Sequence, residues 1–197
     1  MAVEPTARAP RADARRNRDR LLEIGAQVLA EQGARASLRD VARRAEVGLG
    51  TLYRHFPSRE ALLEALLAQR FDQLAARASE LAESGADREG GADPVADLVD
   101  WLREFCAGAG AYQGLPEALL ATLRDPASPL HASCAAMREA GGGLLAAAQR
   151  AGRIRADVTG TDLFALANAV SWAAGQAPAL AERQERLFEV VVDGLRT

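Results

Sequence analysis

Apolar residues recur at helical spacing along nearly the whole chain, and no run alternates as a half-buried strand would. Leu21, Ile24, Val28 and Leu29 mark one helix, closed by Gly33 just beyond its end. Ser37 opens a short second helix with Leu38, Val41, Ala42 and Ala45 on one face, and Asp40 three residues on predicts a capping-box-like pair. After the break Glu46-Val47-Gly48, a third short helix is expected over about Leu49 to His55, stopped by Phe56-Pro57 because proline disfavours helix in the residue before it. Ser58 caps a longer fourth helix striped by Leu63, Leu66, Leu67, Phe71 and Leu74. A loop is expected from Ser84 to Asp93. Beyond it, Val95, Leu98, Val99, Leu102, Phe105 and Cys106 keep i, i+3, i+4, i+7 order. A short helix around Leu115 to Leu123 follows, then a long one from about Ser128 to Ala151, interrupted at Gly141-Gly142-Gly143. A helix capped by Thr159 or Thr161 and a last one from about Ala181 to Leu195 complete an all-α expectation.

Residues 1 to about 13 are rich in Pro, Ala and Arg without periodicity and read as a mobile arm. The expected organisation is therefore an arm over 1–13, a helix-turn-helix domain over 14–58 and a helical body over 59–197. Leu163 to Ala181 carries no charge, but Asn168, Ser171, Gln176 and Pro178 make it too polar and too easily broken for a membrane span. Burial on more than one side is the expectation there.

Charge sharpens the picture. All 24 basic residues are Arg, the side chain best shaped for bidentate phosphate contacts. Between Arg8 and Arg59 there are 12 Arg against 6 acids, and from Gln73 onward 11 Arg against 17 acids, within a net charge of −3. A basic head on an acidic body points to a polyanionic partner for the head. Two short helices joined by a tight turn inside that head fit a helix-turn-helix, whose second helix must enter a major groove about 12 Å wide.

The run Ser37-Leu38-Arg39-Asp40-Val41-Ala42, then Val47-Gly48-Leu49-Gly50-Thr51-Leu52-Tyr53-Arg54-His55-Phe56-Pro57-Ser58-Arg59-Glu60-Ala61-Leu62, resembles the DNA-binding domain of the TetR family of regulators over about residues 15–65. The resemblance implies a partner, double-stranded DNA, and a role for each matching residue. Gly50 and Thr51 would allow close approach and a hydroxyl contact; Tyr53 and His55 would meet the DNA backbone; Arg54 would reach a base. Ser37, Arg39 and Arg59 would place phosphate at helix N-termini, where the dipole favours it. Arg15, Arg16 and Arg18 would add salt-dependent contacts, whereas Arg43 and Arg44 read as a solvated face. Glu46 departs from the family by standing where glycine is common, at a cost of about 1 kcal/mol if φ is positive there, and Leu49 replaces a frequent polar residue.

The same resemblance implies a C-terminal ligand-binding and dimerisation domain, with a homodimer formed through the last two helices. A small-molecule effector would sit among the helices between Pro94 and Ala174, and Trp101, Phe105, Tyr112, Met137, Gly142, Phe164, Asn168 and Trp172 are its candidate contacts. The glycine run is expected to border that pocket, since three glycines in a helix cost up to about 3 kcal/mol against Ala. Ligand would release a palindromic operator by a population shift, with coupling of about 5- to 150-fold.

No nucleophile, phosphate-loop or metal-ligand spacing surrounds His55 and His131, so no catalysis, metal or cofactor is expected. Cys106 and Cys134 are too few for a disulfide framework and suit a reducing cytoplasm, and the N-terminus has no apolar signal region. The competing reading is an all-α protein–protein interaction module without DNA binding.

Overall fold

The computed structural model describes residues 9–33, 36–87, 93–109 and 117–197. Among them the chain is helical, with no strand and an isolated antiparallel bridge between Ile154 and Arg196. The helices are α1 (Ala9–Gln32), α2 (Leu38–Arg44), α3 (Leu49–His55), α4 (Arg59–Asp87), α5 (Pro94–Ala109), α6 (Glu117–Arg124), α7 (Pro129–Arg150), α8 (Gly160–Ala174), α9 (Pro178–Ala181) and α10 (Gln184–Leu195). Side-chain caps hold many of their starts. Ser58 Oγ accepts from the Ala61 N–H at 3.1 Å, Asp93 Oδ1 from Val95 at 3.1 Å, and Thr159 with Asp162 completes a reciprocal capping box.

Two expectations near the N-terminus change. The arm foreseen over 1–13 is already helical from Ala9, because Pro10 falls in a first turn, where its missing N–H has no partner to lose; residues 1–8 lie outside the described set. The chain divides into compact units between Leu66 and Leu67, inside α4 rather than ahead of it. The physical reason is at Gly25 of α1: side-chain carbons of Leu66 and Leu62 lie 3.4 and 3.5 Å from where a Cβ would sit, so the first turns of α4 complete the N-terminal core. That core contains Leu21, Leu22, Val28, Leu29, Val41, Ala42, Leu52, Phe56 and Leu63, all buried.

In the second unit α5 packs on α7 and α8, and α8 packs on α10. Trp101 is its fully buried centre. The indole N–H donates to the Leu74 carbonyl at 2.8 Å, so the one polar atom of the ring is satisfied. Its ring stacks on Phe105 with centroids 6.0 Å apart and meets Phe164 edge-on at 5.8 Å. Burial pushes the Cys106 thiol above its ordinary pKa, and Cys134 shifts the same way for the same reason.

The helix carrying Gly141-Gly142-Gly143 is not interrupted: α7 is continuous through the run. A Cβ on Gly141 would stand 2.5 Å from Trp101 Cη2 and 2.8 Å from Cζ3, so at this position the missing side chain is space taken by the indole. Packing against the ring compensates the weak local propensity. The uncharged helix also differs from expectation. Within the chain α8 buries one face, Leu163, Phe164, Ala167, Val170 and Ser171, and leaves Leu166 and Trp172 exposed. It ends at a turn through Gly175, the four-residue α9 follows, and the last expected helix stands as α10, beginning at Gln184. No helix among the described residues is long and apolar enough to cross a membrane.

These contacts set opposite expectations for neighbouring glycines. Gly141→Ala should lower stability in urea denaturation by about 1–3 kcal/mol through overpacking against Trp101. Gly142→Ala, whose methyl would meet nothing within 4 Å, should raise it by up to about 1 kcal/mol.

Candidate DNA-binding site

The turn between α2 and α3 is a Schellman motif. The Val47 N–H donates to the Ala42 carbonyl at 3.0 Å and the Glu46 N–H to the Arg43 carbonyl at 3.2 Å, which satisfies the last carbonyls of α2. The motif needs a left-handed residue between the last helical turn and Val47, and Glu46 supplies it at φ 57°. Gly152 does the same work at the end of α7 without a Cβ. Glu46 is held by Arg20 of α1, whose guanidinium lies 3.3 Å from its carboxylate. The negative charge expected near the DNA face is thus partnered from within the fold, by a residue too distant in sequence for the local pattern to reveal.

Ser37 caps α2, but not as half of a capping box. Its hydroxyl accepts from the Arg39 N–H at 3.3 Å, while Asp40 turns to other partners. Asp40 accepts from Gln32 Nε2 at 2.9 Å and pairs with Arg43 and, at 3.1 Å, with Arg44. Arg44 also reaches Glu31 at 2.7 Å, so it bridges α1 and α2 rather than standing in a solvated face. The hydrogen bond from Arg43, with help from Gln32 and the charge of Arg44, holds the Asp40 carboxyl below its usual pKa. A carboxylate depressed in the folded state stabilises it above the unfolded value, so this tie is lost only as pH falls through the lowered one.

With the turn fixed, α3 buries Leu52 completely and Phe56 nearly so, and turns Gly50, Tyr53 and Arg54 outward. Tyr53 is 47% exposed, its ring turned away from the core that Leu52 and Phe56 enter. Thr51 and His55 are half-buried, and the Thr51 hydroxyl accepts from Arg54 Nη2 at 2.9 Å. Gly50 has ordinary helical backbone, and a Cβ there would meet nothing within 4 Å, so the protein's own packing does not require glycine. Gly48 caps α3 with no side-chain hydrogen bond, leaving its first N–H groups without a side-chain acceptor. Ser37 and Arg39 are exposed at the start of α2. Arg59 is drawn inward: it is half-buried, and its Nε donates to the Ala36 carbonyl at 3.1 Å, tying α4 to the segment before α2. Arg18 lies over the Phe56 ring at 5.4 Å, a structural contact the pattern did not show.

Among the described residues, the expected effector contacts do not line one opening. Trp101, Phe105, Met137 and Phe164 are buried in the core. Asn168 donates back to the Phe164 carbonyl of its own helix at 2.8 Å. Trp172, expected to line an internal pocket, is instead 62% exposed, because the core side of α8 is already filled by Leu163, Phe164, Ala167 and Val170. Tyr112 lies outside the described residues. An open cleft of about 330 Å³ is lined by other residues, among them Ala78, Leu81, Asp97, Gly143, Leu144 and Arg150, and it is Gly143 rather than Gly142 that borders it.

A buried, capped helix pair that presents a seven-residue helix tip and cations from a basic unit is a helix-turn-helix DNA-binding protein. Residues 21–66 match the family described as bacterial regulatory proteins, tetR family. Residues 93–197 match the C-terminal domain of transcriptional regulators described as SbtR-like. The chain belongs to the TetR family and is a DNA-binding transcriptional regulator. It is 36% identical to a TetR transcriptional regulator from Streptomyces coelicolor, covering 91% of this chain and 98% of that one with a TM-score of 0.69. It is 35% identical to a TetR regulatory protein from Mycobacterium vanbaalenii, over 95% and 99% of the two chains, with a TM-score of 0.66. The HTH-type transcriptional repressor KstR2 of Rhodococcus jostii is 28% identical over 187 residues, 90% of each chain.

The left-handed Glu46 makes a direct test of the turn. Glu46→Gly should raise stability by about 0.5 kcal/mol, since relief of the positive-φ cost exceeds the loss of an exposed ion pair; a fall in the denaturation midpoint would show that the Arg20 contact matters more.

Proposed function

We propose that the chain is a repressor that holds a palindromic operator as a homodimer and releases it when a small molecule enters the second unit. The carrying observation for the dimer is the uncovered apolar face of α8, where Leu166, Ala169 and Trp172 follow helical spacing on the side away from the core, with Val190 of α10 also 53% exposed. A contiguous apolar face of this kind marks a protein interface, and an isologous pairing brings the same surface of two chains together. Two-fold symmetry then sets two copies of α3 about 34 Å apart, one turn of DNA. Repression is supported by the likeness to KstR2, a transcriptional repressor. Membership of a family of bacterial regulatory proteins supports work in the cytoplasm, where the DNA is.

For the effector, the cleft beside Gly143 replaces the aromatic cluster as the site of choice, because Trp101, Phe105 and Phe164 are packed on one another. Its walls combine small apolar side chains with the buried Asp97 and the exposed Arg150, the mixture of apolar walls and few polar groups that small-molecule sites use.

Trp172→Glu tests the assembly. The variant should melt as the wild type does, sediment as a monomer, and bind operator about 100-fold more weakly, since two linked half-sites gain that order of avidity. A Trp172→Glu chain that stays dimeric with unchanged DNA affinity would remove this face from the dimer.

A further inference from the structure

Among the first unit's described side chains, six of nine arginines are already committed. Arg16 pairs with Asp13, Arg20 with Glu46, Arg43 and Arg44 with Asp40, Arg59 bonds the Ala36 carbonyl, and Arg18 lies over Phe56. Arg15, Arg39 and Arg54 have no carboxylate partner among the described residues, and of these Arg54 is the one on α3, exposed, with a hydrogen bond to the Thr51 hydroxyl one turn earlier. A guanidinium has five N–H donors in a planar fork, and this contact uses one.

We propose that Arg54 reads a guanine in each operator half-site and that Thr51 is its positioning residue. The proposal rests on the reading of α3 as the helix that enters the major groove. The Thr51 Oγ1 acceptor, 2.9 Å from Nη2, holds the guanidinium against the helix. Four N–H donors of the planar fork remain, enough for a bidentate contact to the O6 and N7 acceptors of guanine, the one base presenting two adjacent acceptors in that groove. Holding the side chain beforehand reduces the freedom lost on binding. The open surface at Gly50, one residue before Thr51, keeps the approach to the base edge unobstructed. A phosphate contact would need none of this orientation, because a phosphate accepts from many directions and carries no sequence information.

The test uses the full-length chain and a pool of random duplexes. Wild type should select half-sites with a fixed guanine, and replacing that base with 7-deazaguanine, which lacks the N7 acceptor, should weaken binding about tenfold. Arg54→Ala should lose the preference for that guanine while keeping the rest of the selected sequence. Thr51→Ala should reduce the guanine-to-adenine discrimination by about two- to tenfold, Thr51→Ser should restore it, and Thr51→Ala added to Arg54→Ala should change the ratio no further. Melting curves confirm that each variant is folded. If Arg54→Ala instead weakens binding equally on all sequences and lowers the salt slope by about one ion, Arg54 is a phosphate contact and the proposal is overturned. If discrimination survives Thr51→Ala, the positioning role is overturned and the base contact stands alone. If the wild type selects no duplex, the reading of α3 fails together with this one.

Discussion

A helix of seven residues has no stability of its own in water, since nucleation costs more than two turns of hydrogen bonds return. Everything α3 presents to solvent therefore depends on what it buries behind itself. Leu52 and Phe56 fix its inner face, and the Schellman bonds from Val47 and Glu46 fix the angle at which it leaves α2. With those held, Gly50, Tyr53 and Arg54 are displayed without any need to pack. Their exposure is the consequence of a complete core on the opposite side, and it explains how a short, polar surface can be presented with a defined shape.

The first unit spends its acids on architecture. Glu31, Asp40 and Glu46 each meet an arginine of α1 or α2, so these acids brace the helices from within and the surplus of arginines is left over. Among the described residues, Arg39 of α2 and Arg54 of α3 are exposed cations with no carboxylate partner. In the second unit the same logic appears in apolar form. Trp101 occupies the space vacated by the side chain missing from Gly141, and α8 fills its inner face so fully that Trp172 and Leu166 are left exposed.

The sequence was most legible where the period and the caps agreed. The bounds of α3, the Ser37 and Ser58 caps, the buried Leu52 and Phe56 and the all-helical class followed from spacing and from residues that stop or start helices. What depended on partners distant in the chain was not legible. Asp40 looked like a local cap because Ser37 is three residues away, whereas Gln32 and Arg44 win it. The glycine run looked like a break because propensity is local, whereas the indole that occupies the space is forty residues earlier in the chain, at Trp101. Trp172 looked internal because apolar composition does not say which chain will cover a face.

The central claim is that the tip of α3 is kept open for DNA and not for the protein's own packing, and Gly50 reports on it most directly. Thermal unfolding and titration of the same Gly50→Ala protein with its operator answer the question together. The account predicts unchanged or higher thermal stability, by up to about 1 kcal/mol from helix propensity, together with clearly weaker operator binding. Lower stability with full DNA affinity would contradict it.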